Sequence, residues 1–169
     1  MVCRHLTIAI LTGPTFSGKT GCLARWAAAR QDVAGLLSPD GPDGRHFVDL
    51  VSGESVPMEA RADEPEMVAV GRFRFRAAAF DWANERLFAA ASDVRRPIIV
   101  IDEIGPIELR GEGLRPGLEA ALARLDSPLV LVVRESLVDA VRQAFAIPQA
   151  SLFTTETWPQ AGQDVAAPP

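Results

Sequence analysis

The sequence has few of the residues that build disulfide frameworks or metal clusters. Its 169 residues include two cysteines and two histidines. Cys3 and Cys22 are too few for a disulfide framework, so we expect both to be reduced, buried thiols. His5 and His46 lie far apart along the chain and do not indicate a metal cluster. A small disulfide-stapled domain is therefore excluded as an interpretation.

Long apolar runs, a signal pattern and an excess of basic charge are absent as well. No run approaches the ~20 apolar residues that a membrane-spanning helix needs. The N-terminus carries no cleavable signal pattern, so we expect a cytoplasmic protein that does not act at a membrane. The 17 basic and 22 acidic side chains give a formal net charge of −5. This balance argues against general nucleic-acid binding, which depends on basic residues that neutralise phosphates.

What the sequence does contain is a glycine-rich loop of a phosphate-binding type. Residues 13–20 read Gly-Pro-Thr-Phe-Ser-Gly-Lys-Thr and fit the pattern G-x-x-x-x-G-K-[ST]. They follow the apolar run 6–12 and precede residues 21–30, which are rich in helix formers. Strand, loop and helix thus stand in the order that places a phosphate at a helix N-terminus.

Each position of this loop has an expected role in binding a nucleotide. The expected nucleotide-binding residues are Gly13, Pro14, Thr15, Phe16, Ser17, Gly18, Lys19, Thr20 and Gly21. The glycines let backbone N–H groups surround phosphates, Lys19 reaches the β/γ oxygens, and Thr20 offers a hydroxyl to Mg²⁺. A glycine turn between two core elements is the alternative interpretation.

Two acidic residues follow a second buried strand. Asp102 and Glu103 come directly after the apolar run 97–101. A carboxylate at this position anchors Mg²⁺ in phosphate-loop proteins, which suits Asp102. Glu103 projects to the other side of an extended strand, yet a carboxylate leaving the strand end can orient water as a general base. Solvated charges that open a loop are the alternative, and Glu108 is either a second catalytic carboxylate or a capping or surface residue.

Hydrophobic periodicity predicts strands that alternate with helices. The predicted strands are 6–12, 33–38, 45–51, 68–75, 97–101, 128–133 and 150–154, and the predicted helices are 21–30, 77–94, 114–125 and 136–145. This alternation predicts a mostly parallel α/β sheet flanked by helices, with ligand groups at the strand C-termini. Residues 33–51 are expected to form an antiparallel hairpin at one edge, and residues 56–66 a surface loop.

Two further features have more than one interpretation. Arg72, Arg74 and Arg76 alternate with apolar residues, as on a solvated strand face, although contacts with nucleotide phosphate or a partner remain open. Trp158 either stacks on a nucleobase or packs in the core or against a lid. Ser136 is a candidate N-cap for the helix that it precedes.

Residues 100–109, which read Val-Ile-Asp-Glu-Ile-Gly-Pro-Ile-Glu-Leu, resemble a family motif. The motif is V-[IV]-D-E-[IV]-G-x-[ML]-E-L of the small P-loop nucleoside-triphosphatases, the cancer-related and thermophilic nucleoside-triphosphatase family. The order of elements is similar along most of the chain. The resemblance implies a RecA-like P-loop NTPase domain, here residues 1–158. Residues 159–169 mix Pro, Ala, Gln and Gly without apolar periodicity, so we expect a flexible tail there.

The resemblance also implies an activity and its residues. The activity that the resemblance implies is slow, Mg²⁺-dependent hydrolysis of ATP, GTP and related nucleotides to the diphosphate and phosphate. Lys19 and Thr20 then bind phosphate and metal, with Lys19 contributing to catalysis, Asp102 holds Mg²⁺, and Glu103 activates water. The chain departs from the family at Phe16 and Gly21, and residues 154–158 lack the Asn-Arg pair that the family tends to show there.

Two other functions share these motifs. A small nucleotide or cofactor kinase transfers the terminal phosphoryl group to a hydroxyl, and the arginines near Gly111-Glu-Gly113 offer a short candidate lid. A nucleotide-dependent switch or accessory protein would reshape residues 104–115 for a protein partner, which the sequence does not identify. The acidic pair favours water as the acceptor.

Overall fold

Ten strands and five α-helices are formed in the parts of the chain that the structure, a computed structural model, describes: residues 8–61, 63–124, 127–161 and 163–165. The strands are β1 (Ile8–Leu11), β2 (Val33–Leu37), β3 (Asp40–Gly41), β4 (Gly44–Asp49), β5 (Ser55–Pro57), β6 (Met67–Val70), β7 (Phe73–Arg76), β8 (Ile98–Ile104), β9 (Leu129–Val133) and β10 (Ser151–Phe153). The helices are α1 (Lys19–Ala28), α2 (Ala77–Ser92), α3 (Pro106–Leu109), α4 (Arg115–Leu122) and α5 (Val138–Ala144). Cys3, His5 and the first two residues of the predicted strand 6–12 lie outside the described residues.

An eight-stranded sheet organises the molecule. Its order is β10-β1-β9-β8-β2-β4-β3, with β5 also paired to β4. The first five strands in this order are parallel, whereas β4 is antiparallel to β2, and β3 and β5 are antiparallel to β4. The predicted fold class, a mostly parallel sheet with an antiparallel hairpin, is therefore confirmed.

The edge position predicted for the whole of 33–51 is wrong for its first strand. β2 pairs in parallel with β8, so it lies inside the sheet, and only β4, with its partners β3 and β5, extends the edge. All five β2 residues are buried, as expected for a strand covered on both faces. Gly35 is required there, since a Cβ at this residue would lie 2.0 Å from the carbonyl oxygen of Val100.

Helices cover both faces of the sheet. Leu23 and Trp26 of α1 pack on one face, against β1, β8 and β9. The opposite face is covered by α2, α4 and α5. Phe80, Ala83, Leu87 and Ala90 recur at helical spacing in the sequence and form a buried apolar stripe on α2, while Phe88 is exposed. No helix within the described ranges is both long and apolar enough to cross a membrane.

Three local predictions are corrected. The single strand predicted at 68–75 is a hairpin, β6 and β7, because Gly71 turns the chain with a φ of 56°. The predicted surface loop 56–66 begins within β5 and buries Met58. Ser136 lies in a 3₁₀ turn, Glu135–Leu137, and α5 begins after Leu137 with no side-chain cap.

The C-terminal region folds back on α1. Trp158 is buried, and its ring meets those of Trp26 and Phe153 edge to face at 5.5 Å from each. The carbonyl oxygen of Gln163 accepts hydrogen bonds from Trp26 at 3.0 Å and Arg30 at 2.7 Å. Trp158 is therefore a core residue, and the composition of the tail did not indicate these contacts. The flexibility of 159–169 stays a prediction, and residues 166–169 lie outside the described residues.

Candidate active site

The glycine-rich loop connects the end of β1 to the start of α1. Gly13 and Gly18 have φ values of 141° and 81°, which side chains other than glycine rarely adopt. Phe16 has a φ of 61° and is 91% exposed. Gly18 immediately precedes α1, so the first N–H groups of this ten-residue helix face the loop. The predicted order of strand, loop and helix is what the structure shows.

The Lys19 ammonium lies inside this loop. It donates to the carbonyl oxygens of Gly13 at 3.1 Å and Pro14 at 2.6 Å, and to the hydroxyl of Ser17 at 3.2 Å. These three bonds match the three donors of an ammonium group. When an anion binds in the loop, Lys19 can therefore exchange its hydrogen bonds to the loop oxygens for hydrogen bonds to the oxygens of the anion.

Asp102 is a buried carboxylate beside the loop. It is 1% exposed and lies in β8, which runs on to Ile104. Its Oδ2 accepts the backbone N–H of Ser38 at 2.9 Å. Burial raises the pKa of Asp102 to about 6, against the opposing effects of the Ser38 N–H and the Thr20 hydroxyl. The carboxylate is therefore poorly solvated, and a nearby cation would stabilise its charged form.

Glu103 reaches the same side as Asp102 because the backbone changes direction there. Its φ is 71°, in the left-handed region, and the register between β8 and β9 is interrupted between Ile101 and Ile104. An extended strand would have sent these neighbouring side chains to opposite faces. Glu103 Oε2 accepts from Arg45 Nη1, and Oε1 accepts from Arg134 Nη2 at 3.0 Å.

These residues line one open cleft at the carboxyl ends of the central strands. Its volume is about 460 Å³. The lining residues are Thr15, Phe16, Ser17, Gly18, Lys19, Thr20, Gly21, Ala24, Leu37, Ser38, Pro39, Asp40, Arg45, Val48, Asp102, Glu103, Val132 and Arg134. Gly13 and Pro14 are not on its wall and contribute the carbonyl oxygens that hold Lys19. The cleft thus brings together residues from both predicted motifs.

Other candidate residues lie elsewhere. Glu108 is buried, and its carboxylate accepts hydrogen bonds from the N–H groups of Gly105 and Leu114 at 2.9 Å each. It therefore joins the residue before α3 to the segment that follows this helix. Burial raises its pKa. The arginine row at 72–76 does not line the cleft, and Arg76 pairs with Glu64 at 2.8 Å.

The sequence interpretation missed four polar or charged cleft residues: Ser38, Asp40, Arg45 and Arg134. Ser38 and Arg134 each follow a buried parallel strand, β2 and β9. The rule that ligand groups collect at strand C-termini would have found these two. Asp40 belongs to β3 and Arg45 to β4, and the approach of these hairpin strands to the cleft depends on tertiary folding.

A phosphate loop between β1 and α1, together with an acidic pair on β8 of a mostly parallel sheet, defines the class of P-loop NTPases. Residues 8–156 match the family model described as NTPase, and the chain belongs to this family. A comparison with curated proteins finds no match.

Two solved structures are similar along most of their length. The solution structure of a human cancer-related nucleoside triphosphatase is 21% identical, with 88% of each chain covered and a TM-score of 0.67. The crystal structure of THEP1 from the hyperthermophile Aquifex aeolicus is 20% identical, with 88% of this chain and 90% of that chain covered and a TM-score of 0.68. At these identities the likeness establishes a shared fold.

Proposed function

We propose that the protein is a Mg²⁺-dependent nucleoside-triphosphatase that hydrolyses ATP, GTP and related nucleotides to the diphosphate and phosphate. One observation carries the proposal: Lys19, Thr20, Asp102 and Glu103 line the same cleft, although the two pairs are more than 80 positions apart in the sequence. The family, and the activity named for one structural relative, support the same proposal.

Phosphate binding is assigned to the loop and the start of α1. The backbone N–H groups of the loop residues other than Pro14, together with the positive end of the helix dipole, favour an anion there. Lys19 exchanges its bonds to the Gly13 and Pro14 carbonyls for the β/γ oxygens. The hydrogen bonds lost within the loop are thereby replaced by ion pairs with phosphate oxygens, in which both the donor and the acceptor are charged.

The metal site is assigned to Thr20 and Asp102. A buried carboxylate whose pKa is raised to about 6 fits a cation, which would offset the burial of its charge. Mg²⁺ is commonly held by one or two protein ligands together with substrate phosphates and water, so these two residues are enough. When bound, Mg²⁺ would neutralise part of the negative charge on the phosphate oxygens.

Water activation is assigned to Glu103. Its carboxylate accepts a proton from water while the water oxygen bonds to the terminal phosphorus, and the bond from that phosphorus to the β,γ-bridging oxygen breaks. The left-handed backbone at Glu103 is a costly conformation for this residue type, and such strain is concentrated at functional sites.

The structure favours hydrolysis over phosphoryl transfer to an acceptor. Arg110 and Arg115, the candidate kinase lid, do not line the cleft: Arg110 donates to the Ala69 carbonyl at 3.2 Å, and Arg115 pairs with Glu119 at 2.7 Å. The deciding experiment measures phosphate release from a panel of nucleoside triphosphates with and without candidate acceptors. Release that does not need an acceptor supports the proposal, and release that needs one indicates a kinase.

A nucleotide switch is the remaining candidate, and the same assay separates it. Tight triphosphate binding with no phosphate release, in both the wild type and Glu103→Gln, would favour the switch. A wild type that releases phosphate and a variant that does not would support hydrolysis.

A further inference from the structure

Both oxygens of the Glu103 carboxylate are paired with arginines that come from opposite sides of the cleft. Arg45 lies on β4, in the hairpin beyond β2, and contacts Oε2. Arg134 follows β9, the strand between β1 and β8, and contacts Oε1 at 3.0 Å. The residue assigned to water activation is therefore held by two cations, which the hydrolytic scheme above does not use.

The two arginines differ in how firmly they are held. Arg45 has a second carboxylate partner, Asp40 at 3.5 Å, and its side chain is 28% exposed. Arg134 has Glu103 as its one ion-pair partner among the described residues, and its side chain is 48% exposed. A half-exposed ion pair contributes little to stability, so Arg134 can leave Glu103 at low cost.

Arg134 also lies where its side chain can contact a bound phosphate. β9 lies between β1, which leads into the phosphate loop, and β8, which carries Glu103, and Arg134 at its end lines the same cleft as Lys19 and Glu103. Lys19, Arg45 and Arg134 are the cationic side chains among the described cleft residues, opposite Asp40, Asp102 and Glu103. A triphosphate adds negative charge to a lining whose formal charges cancel, and Arg134 is the cation most free to turn toward it.

We propose that Arg134 binds the terminal phosphate of the bound triphosphate, exchanging its ion pair with Glu103 for that phosphate, while Arg45 keeps Glu103 in position. The inference rests on the proposed function, because it assigns a ligand within the same site. It makes Arg134 the residue that distinguishes a triphosphate from a diphosphate, and it releases one Glu103 oxygen to water as the substrate binds.

The test compares affinities for two ligands, ADP and the non-hydrolysable β,γ-imido analogue of ATP, both with Mg²⁺. Arg134→Gln should weaken analogue binding by about 10- to 100-fold, the range expected for hydrogen bonds between charged groups. Its ADP affinity should change by less than about threefold. Arg134→Lys should recover part of the analogue affinity, since it keeps the charge. Arg95→Gln is the matched control: Arg95 is an exposed arginine paired with Asp93 at 3.1 Å, outside the cleft, and both affinities should stay at the wild-type values.

A double-mutant cycle with Glu103→Gln tests the exchange itself. Removing the carboxylate frees Arg134, so analogue affinity should rise by about two- to fivefold, as expected for the loss of a weak competing pair. The rise should be smaller in the Arg134→Gln background, where no pair has to break. Equal rises in both backgrounds would overturn the exchange.

The outcomes separate this inference from the function on which it rests. If the wild type binds the analogue and releases phosphate from ATP, but Arg134→Gln loses analogue and ADP affinity equally or loses neither, the inference is wrong and the function stands. If the wild type binds no triphosphate, both are wrong.

Discussion

Ser38 and Asp102 are joined by two hydrogen bonds that tie the end of β2 to the end of β8. The Ser38 N–H donates to Asp102 Oδ2 at 2.9 Å, and the Ser38 hydroxyl donates to the Asp102 carbonyl oxygen at 3.1 Å. Both residues are buried. The Ser38 backbone, which follows β2, thus holds the Asp102 carboxylate on β8 in place. This contact orients the proposed metal ligand.

Ser38→Ala should lower the free energy of unfolding by about 1 kcal/mol, because it removes the buried hydroxyl bond and keeps the N–H bond to the carboxylate. Chemical denaturation measures the change. Ser92→Ala is the matched control, since that hydroxyl donates to the Phe88 carbonyl at 3.0 Å in an exposed position. A larger loss for Ser92→Ala than for Ser38→Ala would contradict the assignment.

The stability of the protein should depend on pH through Asp102. Burial raises the pKa of Asp102 from 3.8 to about 6, so between these values the folded state holds a proton that the unfolded state has lost. The free energy of unfolding should therefore fall as the pH rises from about 4 to 6, by about 3 kcal/mol for two pKa units. Denaturation in excess chelator across this range, on the wild type and Asp102→Asn, measures it. The fall should be smaller in the variant by about this amount, because the raised pKa of Glu108 still contributes in the same direction. Parallel curves would exclude Asp102 as a source of the fall.

Glu103→Gln should reduce kcat by about 10²- to 10⁴-fold, because the amide cannot accept a proton from water. Steady-state phosphate release measures the loss, and the unfolding free energy should be little changed, since Glu103 is partly exposed. A wild-type rate in this variant would place water activation at another residue.

Glu108→Gln provides the contrasting control. Its amide would turn an NH₂ group toward one of two N–H donors, Gly105 or Leu114, and leave a buried donor unpaired. The expected result is a loss of about 1–3 kcal/mol in unfolding free energy with kcat largely retained. A kcat loss as large as that of Glu103→Gln, without loss of stability, would instead make Glu108 part of the chemistry.

Lys19 is the single lysine in the sequence, so one isotope label reports on it alone. In protein labelled with ¹⁵N-lysine, the one backbone amide signal should shift when ATP and Mg²⁺ are added, because this N–H lies at the start of α1 beside the loop. Lys19→Ala should weaken ATP binding by about 10- to 100-fold. Arg25→Ala, in the last turn of the same helix, is the control and should bind normally. A signal that saturating ATP leaves unmoved would remove the loop from the site.

Thr20→Ala should raise the Mg²⁺ concentration needed for half-maximal activity, because the hydroxyl is the proposed metal ligand. Thr20→Ser keeps the hydroxyl and should behave like the wild type. Metal titrations of phosphate release compare the two. Activity of the wild type in excess chelator would contradict the metal assignment altogether.

Much of the fold followed from local patterns. Continuous apolar runs located the parallel strands, and the spacing of Phe80, Ala83, Leu87 and Ala90 located the buried face of α2. The phosphate loop could be predicted from the sequence, because phosphate binding by such a loop requires fixed residues at fixed spacing. The interior position of β2 could not be predicted from the local sequence, because its pairing partner β8 lies more than 60 residues away along the chain.

One of the two cleft arginines, Arg45, could not be assigned for a similar reason, because it enters the site only through the placement of the β4 hairpin. Arg134 directly follows a buried strand, so its position could have been predicted from the sequence although it was missed. The sequence also did not show that Glu103 adopts a left-handed φ, which brings it to the same side as Asp102. Such a conformation is imposed by tertiary structure, since isolated glutamate disfavours it.

The pairing of β1 has a consequence for how the chain acquires its structure during synthesis. β1 (residues 8–11) hydrogen-bonds on one side to β9 and on the other to β10, both from the last quarter of the sequence. The strand that leads into the phosphate loop is thus translated well before the two strands with which it pairs. Nascent chains that end before Leu129 lack both of its neighbours, so a ribosome-bound chain should gain nucleotide-dependent protease resistance only after β9 and β10 have emerged.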